Sequence, residues 1–176
     1  MRSEEVEKYT RCYESSSYRM GKRNVARALR DIQSIPKGST YLDVGCGRGE
    51  TLRIAQDCGL EASGTEIVPD LCGTGITLTS VTRLPFDSFD YVSCYDVLEH
   101  LPAADVGLAL DELFRVARAG LFITTNDHKA RRGDWVLHLT RKPRTWWESE
   151  FRKRGHSKIE HCSFATERDW HWTIVR

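Results

Sequence analysis

The stretch T-Y-L-D-V-G-C-G-R-G-E, residues 40–50, determines how the rest of the chain is interpreted. Its first half reads as a short apolar strand, its second half carries Gly45, Gly47 and Gly49, and a helical pattern of apolar residues begins at Thr51. A glycine turn between a strand and a helix lets the backbone approach a ligand closely and presents the N–H groups of the helix to it. The stretch therefore predicts a nucleotide site in an α/β sheet.

The glycine spacing differs from that of the usual dinucleotide motif. A dinucleotide fingerprint reads G-x-G-x-x-G, whereas this turn reads G-x-G-x-G and Glu50 occupies the sixth position. Asp43, two residues before the first glycine, would repel a pyrophosphate but could pair with an ammonium group or order water around it. The pattern therefore indicates a ligand with an adenosine-like half and a cationic half, and it disfavours an NAD-type oxidoreductase. An ordinary glycine-rich turn is the structural alternative.

The whole motif D-V-G-C-G-R-G resembles motif I of the class I S-adenosylmethionine (SAM)-dependent methyltransferases. The resemblance covers roughly residues 36–176 and includes L-P-F-D-S-F-D at 84–90 and D-V-L-E-H-L-P at 96–102. It implies one domain over residues 1–176, with a three-layer α/β/α Rossmann-like fold and a mostly parallel sheet whose last strand is antiparallel. It also implies SAM as the cofactor and methyl transfer as the reaction.

Hydrophobic periodicity places the remaining elements. An amphipathic helix over 21–33 is predicted to bury Val25, Leu29 and Ile32, and a later helix is predicted to begin at a Thr145 cap and end at Gly155. The other predicted helices cover 49–58 and 104–118, and the predicted strands cover 61–67, 76–80, 89–95, 120–125, 157–165 and 170–175.

The resemblance places the cofactor contacts on the glycine turn, at strand ends and on an N-terminal helical lid, residues 1–35. Glu66 lies seventeen positions after Gly49, where a nucleotide-binding unit places the carboxylate that accepts from ribose hydroxyls. Ser80 stands where the family commonly has an aspartate that bonds adenine, so a hydroxyl or a backbone carbonyl would replace it. A helix that only covers a sheet face is the alternative to the lid. The expected cofactor residues are Tyr18, Met20, Gly21, Asp43, Gly45, Cys46, Gly47, Gly49, Glu66, Ile67, Ser80, Val81, Tyr95, Asp96 and Val97.

Polar residues that follow the fifth predicted strand are candidates for the acceptor pocket. Asn126, Asp127 and His128 come directly after it, and ligands bind at the carboxyl ends of strands in open α/β sheets. His128 is the favoured general base and His138 the second candidate, with a simple loop histidine as the alternative. His100 fits equally well as a base or as a histidine packed behind the site.

A basic insert at residues 127–145 opens the most positively charged part of the chain. Residues 129–158 hold ten Lys/Arg and three Asp/Glu, whereas the whole chain has a net charge of +1. Arg131, Arg132, Arg141, Lys142 and Arg144 could bind an anionic substrate or form a solvated face.

The expected acceptor is a small molecule of anionic or sugar-like character, methylated on oxygen or nitrogen. No D-P-P-Y, N-P-P-Y or Pro-Cys signature of nucleic-acid methyltransferases occurs in the chain. The alternatives are an RNA or DNA methyltransferase that uses the basic residues 129–158, a non-catalytic SAM-binding module, and SAM-dependent transfer of another group.

The cysteines and the N-terminus indicate the compartment in which the protein is expected. The six cysteines form no C-x-x-C, and no His/Asp cluster has ligand spacing, so no metal site and only reduced thiols are expected. No apolar run approaches the ~20 residues of a membrane span, and the N-terminus lacks the apolar core of a signal peptide. We therefore expect a cytoplasmic protein without a membrane partner, and the sequence leaves its oligomeric state open.

Overall fold

A central sheet with helices on both faces forms the part of the chain that the computed structural model describes, residues 3–156, 158–161 and 168–175. The helices are α1 (Ser3–Tyr13), α2 (Lys22–Gln33), α3 (Glu50–Asp57), α4 (Ala103–Val116) and α5 (Arg144–Lys153). The strands of the sheet are β1 (Thr40–Val44), β2 (Glu61–Glu66), β3 (Ile76–Leu78), β4 (Phe89–Tyr95), β5 (Ala117–Asn126), β8 (Ile159–His161) and β9 (Asp169–Val175). A separate ribbon pairs β6 (Arg131–Arg132) with β7 (Trp135–Val136).

The strand order is β3-β2-β1-β4-β5-β9-β8. The pairs from β3 to β5 are parallel, and β9 is antiparallel to both β5 and β8. The chain runs outward from β1 to β3 and then returns to the other side of β1 with β4. The carboxyl ends of β1 and β4 therefore flank the topological switch point, where open α/β sheets bind ligands. The expected three-layer fold with its antiparallel last strand is confirmed.

The two faces of the sheet bury separate sets of apolar side chains. Leu42 and Val44 of β1 belong to the core beneath α4 and α5, whose Trp147 and Phe151 are fully buried. Tyr41, the strand residue before Leu42, belongs to the opposite core, beneath α2 and α3. This alternation along β1 holds the strand end, and the glycine turn that follows it, between two packed layers.

Helix α2 lies where it was predicted and buries Ile32 as expected, but Leu29 is exposed and polar residues share the buried face. Leu29 is 40% exposed, whereas Asp31 and Ile32 are buried. The Asp31 carboxylate accepts from the Tyr95 hydroxyl at 2.8 Å and lies 2.7 Å from Nε2 of His171. Asp31 therefore belongs to the buried face of α2 through these polar contacts, which the apolar pattern of the helix does not predict.

Several element boundaries differ from the sequence-based expectation. The residue that caps α5 is Pro143 rather than Thr145, because the Pro143 carbonyl already accepts from the Trp146 N–H at 3.0 Å. Ala117 begins β5 instead of ending the preceding helix, and the ribbon β6–β7 was not predicted. In the last hairpin, the predicted strand residues Ser157 and 162–165 lie outside the described residues. Among the described residues, no helix has both the length and the apolar composition needed to cross a membrane.

Candidate functional site

The glycine turn after β1 is closely packed on both sides. Its three glycines have positive φ, and the N–H groups of Gly45 and Cys46 both donate to the Thr65 carbonyl of β2 at 2.9 Å. A β-carbon on Gly45 would lie 2.5 Å from Val97, and one on Gly47 would lie 2.6 Å from the hydroxyl of Tyr13. Only glycine fits at these two positions, because any side chain would displace a neighbour from the end of β4 or from α1.

Glu66 at the end of β2 binds the glycine turn through its carboxylate. Its Oε2 accepts from the Gly47 N–H at 2.9 Å, and its Oε1 accepts from Ile67 and Val68 at 2.7 and 3.2 Å. Burial raises the pKa of this carboxyl group, although the three N–H donors lower it. Each carboxylate oxygen has two acceptor sites, so contact with a ribose hydroxyl is compatible with these bonds and stays a prediction.

Asp43 faces the interior of the fold. Its carboxylate accepts from the hydroxyl groups of Thr51 and Ser93, the latter at 2.6 Å. Burial raises its pKa to about 6. Within the described part of the chain, Asp43 lines neither of the two cavities at the carboxyl ends of the strands. The structure therefore offers no support for a direct contact between Asp43 and a cationic ligand group.

Two cavities lie at the carboxyl ends of the strands. The β2-side cavity has a volume of about 300 Å³, and the β5-side cavity has a volume of about 290 Å³. The residues that line both of them, and so form the wall between them, are Tyr13, Tyr18, Gly45, Asp96 and His100.

The structure brings most of the expected cofactor residues to these cavities. Those on the β2 side alone are Glu66, Ile67, Ser80, Val81 and Val97. Those on the β5 side alone are Met20, Gly21, Cys46, Gly47 and Tyr95, together with the acceptor candidate His138. Tyr18, Gly45 and Asp96 line both. Within the described residues, Asp43, Gly49 and His128 line neither, and Gly49 instead precedes the first turn of α3 with φ of 74°.

Tyrosines of the N-terminal segment cover the site. The Tyr9 hydroxyl lies 2.7 Å from Nδ1 of His100, and the rings of Tyr13 and Tyr18 meet edge to face at 4.9 Å. Burial raises the pKa of all three phenols. Tyr9 and Tyr13 were missed as site residues, although their spacing of four on one helix places both on the same face.

Asp96 lies in the wall that separates the two cavities. It has φ of 53°, and its carboxylate accepts from the side chains of Asn24 and Thr124. Burial raises its pKa. A residue other than glycine with such a φ is uncommon and marks a position that the surrounding structure constrains. The hydrogen bonds from Asn24 of α2 and Thr124 of β5 supply that constraint. They hold Asp96, just after the end of β4, where it lines both cavities.

The two candidate bases occupy different environments. The side chain of His128 is 44% exposed, and its Nε2 lies 2.9 Å from Asp169 of β9. Among the described residues, His128 is not part of the lining of either cavity. His138 lines the β5-side cavity, and its Nδ1 lies 2.8 Å from the His128 carbonyl oxygen. Burial lowers the pKa of His138. The geometry therefore favours His138 as the acceptor-side histidine.

Glu99 and His100 follow β4 and lie beside His138. Burial lowers the pKa of His100 to about 3, helped by the nearby His138, whose ring it meets edge to face at 4.7 Å. Glu99 is fully buried, its Oε1 accepts from the Asn126 amide at 2.7 Å, and burial raises its pKa well above the ordinary value. A carboxylate and two neutral imidazoles are donors that a metal ion accepts.

The basic residues of the insert do not contribute to the lining of the cavities. In the described structure, none of Arg131, Arg132, Arg141, Lys142 and Arg144 lines either cavity. They contact separate partners, such as the ring of Tyr18 for Arg132 and the carbonyl of Asp127 for Arg141. The cations that line the β5-side cavity are Arg19 and Arg48, neither of which was predicted as a site residue.

Comparison with known proteins agrees with this architecture. The family model described as a methyltransferase domain matches residues 14–174. The 2-methyl-6-phytyl-1,4-hydroquinone methyltransferase of Synechocystis is 30% identical over an alignment 149 residues long, which covers 77% of this chain and 44% of that protein. The chain therefore spans less than half the length of this curated relative.

Solved structures show the same fold at lower identity. A SAM-dependent methyltransferase from Archaeoglobus fulgidus superposes with a TM-score of 0.70 and 17% identity, over 89% of this chain and 95% of its own. The magnesium protoporphyrin IX methyltransferase of Synechocystis, with bound SAM, superposes with a TM-score of 0.68 and 17% identity, over 99% and 92% of the two chains. From the family match and this fold, we conclude that the chain belongs to the methyltransferase-domain family of class I SAM-dependent methyltransferases.

Proposed function

We propose that this domain transfers the methyl group of SAM to an oxygen or nitrogen atom of a small, anionic or sugar-like acceptor. The observation that carries the proposal is the pair of cavities that meet at Gly45 and Asp96, directly above the switch point of the sheet. A two-substrate transfer needs two adjoining sites whose common wall lies beside the reacting atoms.

The β2-side cavity suits the adenosine half of the cofactor. Glu66 supplies a carboxylate for ribose hydroxyls, and Ile67 and Val81 supply apolar surface for an adenine ring. Asp96 at the common wall takes the role first expected of Asp43, because its half-buried carboxylate can face the cationic half of SAM. The sulfonium then lies beside Asp96 with its methyl group directed to the β5 side.

The β5-side cavity suits a small acceptor. Its volume of about 290 Å³ lies just below the ~300–1,000 Å³ range of small-molecule pockets. Arg19 and Arg48 line it and can attract an anion, whereas the basic residues of the insert lie elsewhere. The names of the relatives, a hydroquinone methyltransferase and a magnesium protoporphyrin methyltransferase, also support a small-molecule acceptor.

The chemistry asks mainly for alignment of three atoms. The sulfonium makes the methyl carbon electrophilic, so holding the acceptor in line can supply up to ~7–11 kcal/mol of the barrier reduction. His138 is the acceptor-side group, since its Nδ1 is held by a carbonyl oxygen and its Nε2 keeps a lone pair. That lone pair suits a hydroxyl acceptor, which must lose a proton, more than a neutral amine.

Calorimetric titration with SAM, S-adenosylhomocysteine (SAH) and NAD⁺ tests the cofactor site. Binding of the first two without NAD⁺ would support the proposal, and turnover would then be sought with anionic metabolites, sugars and short RNA. SAH release only with RNA would replace the small-molecule acceptor by a nucleic acid. SAM binding with no turnover of any acceptor would favour a binding module.

A further inference from the structure

A carboxylate and two imidazoles converge at the wall of the β5-side cavity. Among the described residues, Glu99, His100 and His138 each offer one ligand atom, and these atoms lie within 4.8 Å of one another. Donors that bind one ion tetrahedrally at about 2.0–2.2 Å lie about 3.3–3.6 Å apart. The three ligand atoms would therefore have to approach one another by up to about 1.5 Å to bind one ion, and rotation of the side chains would supply this movement.

Both histidine rings are held through the same nitrogen. Nδ1 of His138 lies 2.8 Å from the His128 carbonyl oxygen, and Nδ1 of His100 lies 3.1 Å from the Leu137 carbonyl oxygen. A carbonyl oxygen only accepts, so each Nδ1 carries the proton and each Nε2 carries the lone pair. The Tyr9 hydroxyl, 2.7 Å from Nδ1 of His100, then accepts from the same N–H. Metal-bound histidines are commonly oriented by such bonds to backbone carbonyls.

One carboxyl oxygen of Glu99 is available to bind a cation. The side chain is fully buried, and Oε1 accepts from Asn126. Its Oε2 is buried and has no hydrogen-bond partner in the described part of the chain. A buried carboxylate oxygen without a partner is costly, and an adjacent divalent ion would compensate for that cost.

We propose that Glu99, His100 and His138 bind a divalent transition-metal ion at the wall of the β5-side cavity. Two imidazole nitrogens and one carboxylate oxygen form a three-ligand set that is used for catalytic zinc and for non-haem iron, and it leaves coordination positions open. His100 and His138 both line the β5-side cavity, so an ion that they bind would be accessible from that cavity. In this arrangement His138 acts as a ligand and not as a proton acceptor.

The ion gives the acceptor site a defined chemistry, and this role rests on the proposed function. When bound, the ion would coordinate an acceptor hydroxyl group and lower the pKa of that group, so that its proton would pass to water. The acceptor oxygen then forms a bond to the methyl carbon while the S–C bond breaks. The electron pair of the S–C bond stays on sulfur, which gives SAH. The acceptor class is therefore an alcohol or phenol, not an amine.

Mn²⁺ is a suitable probe, because it prefers carboxylate oxygen to the cysteine thiols of this chain. The full chain is stripped with a chelator and titrated with Mn²⁺, while electron paramagnetic resonance records the free ion. One Mn²⁺ per chain is expected, and Glu99→Gln and His138→Gln should each weaken binding by about tenfold or more. His156→Gln is the matched control, because that ring stacks on Phe114 near the far end of α4.

SAH titration of the same variants keeps the outcomes distinct. His138 lies in the insert and is only half-buried, so its variant decides the matter if Glu99→Gln fails to fold. Mn²⁺ binding that is absent, or unchanged in the folded His138→Gln variant, would overturn the metal site. Mn²⁺ bound at these residues without any methyl transfer would leave the site standing and reject the proposed function. SAH formation that persists in chelator, with no Mn²⁺ bound, would support the proposed function and reject the metal site.

Discussion

The hydroxyl group of Tyr13 lies over Gly47, 2.6 Å from the point that a β-carbon on Gly47 would occupy. Gly47 has φ of 54°, and its N–H donates to the Glu66 carboxylate at 2.9 Å. One residue thus joins the end of α1, the glycine turn and the end of β2. Any change there affects the end of α1, the turn and the expected ribose site together.

Replacement of Gly47 by alanine should weaken SAH binding by about tenfold or more, a cost of about 1.4 kcal/mol or more. The new β-carbon would displace the Tyr13 ring, and a positive φ is strained in any L-residue. Calorimetry measures the affinity, with Gly73→Ala as the control, since Gly73 has no atom within 4 Å of its added β-carbon. If Gly47→Ala binds SAH as tightly as the parent protein, the turn does not approach the cofactor.

Glu66→Gln should lower SAH affinity by about 1–3 kcal/mol, since the charged acceptor of a hydrogen-bond network is replaced by a neutral amide. The amide also turns one donor toward backbone N–H groups that need acceptors. Glu61→Gln, at the exposed start of the same strand, is the matched control and should bind SAH normally. Equal affinity of the two variants would remove Glu66 from the ribose site.

Local patterns were sufficient to predict the glycine turn and the parallel strands. Glycines of positive φ and runs of β-branched and aromatic residues report their own conformation, so Gly45 and the strand at 89–95 lie where the sequence indicates. The polar face of α2 could not be predicted, because Asp31 is buried by contact with His171, 140 residues later in the chain. The grouping of Glu99 with His138 is likewise set by the path of the insert and not by any ligand spacing.

The two candidate bases, His138 and His128, should differ in their effect on turnover when they are replaced. His138→Gln should slow turnover by about 10²–10⁴-fold for a hydroxyl acceptor, whether its Nε2 binds a proton or an ion. His128→Gln should cause a smaller loss, because its side chain contacts Asp169 and only its backbone carbonyl holds His138. Initial rates of SAH formation measure both, and SAH affinity should be unchanged in each. A larger loss in His128→Gln would mean that the insert moves His128 into the site.

The buried Asp43 should make stability depend on pH in an uncommon direction. Burial raises the pKa of this carboxyl group from 3.8 to about 6, and the nearby Glu66 and Glu50 add to the effect of burial. The hydroxyl groups of Thr51 and Ser93, which donate to it, lower the pKa only in part. Ionisation of Asp43 therefore opposes folding, since the unfolded chain gives up the proton more readily than the folded one.

Asp43→Asn should remove this pH dependence. The stabilising contribution of the protonated group is complete below pH 3.8 and is lost as the pH rises through about 6, which amounts to about 3 kcal/mol. Urea unfolding of the ligand-free protein at pH 4.5 and pH 7 measures the free energy of unfolding of parent and variant. The parent should lose stability relative to the variant as the pH rises, because the asparagine amide of the variant stays neutral throughout. An unchanged difference between the two proteins would show that Asp43 is ionised at both pH values, held by its hydroxyl donors despite its burial.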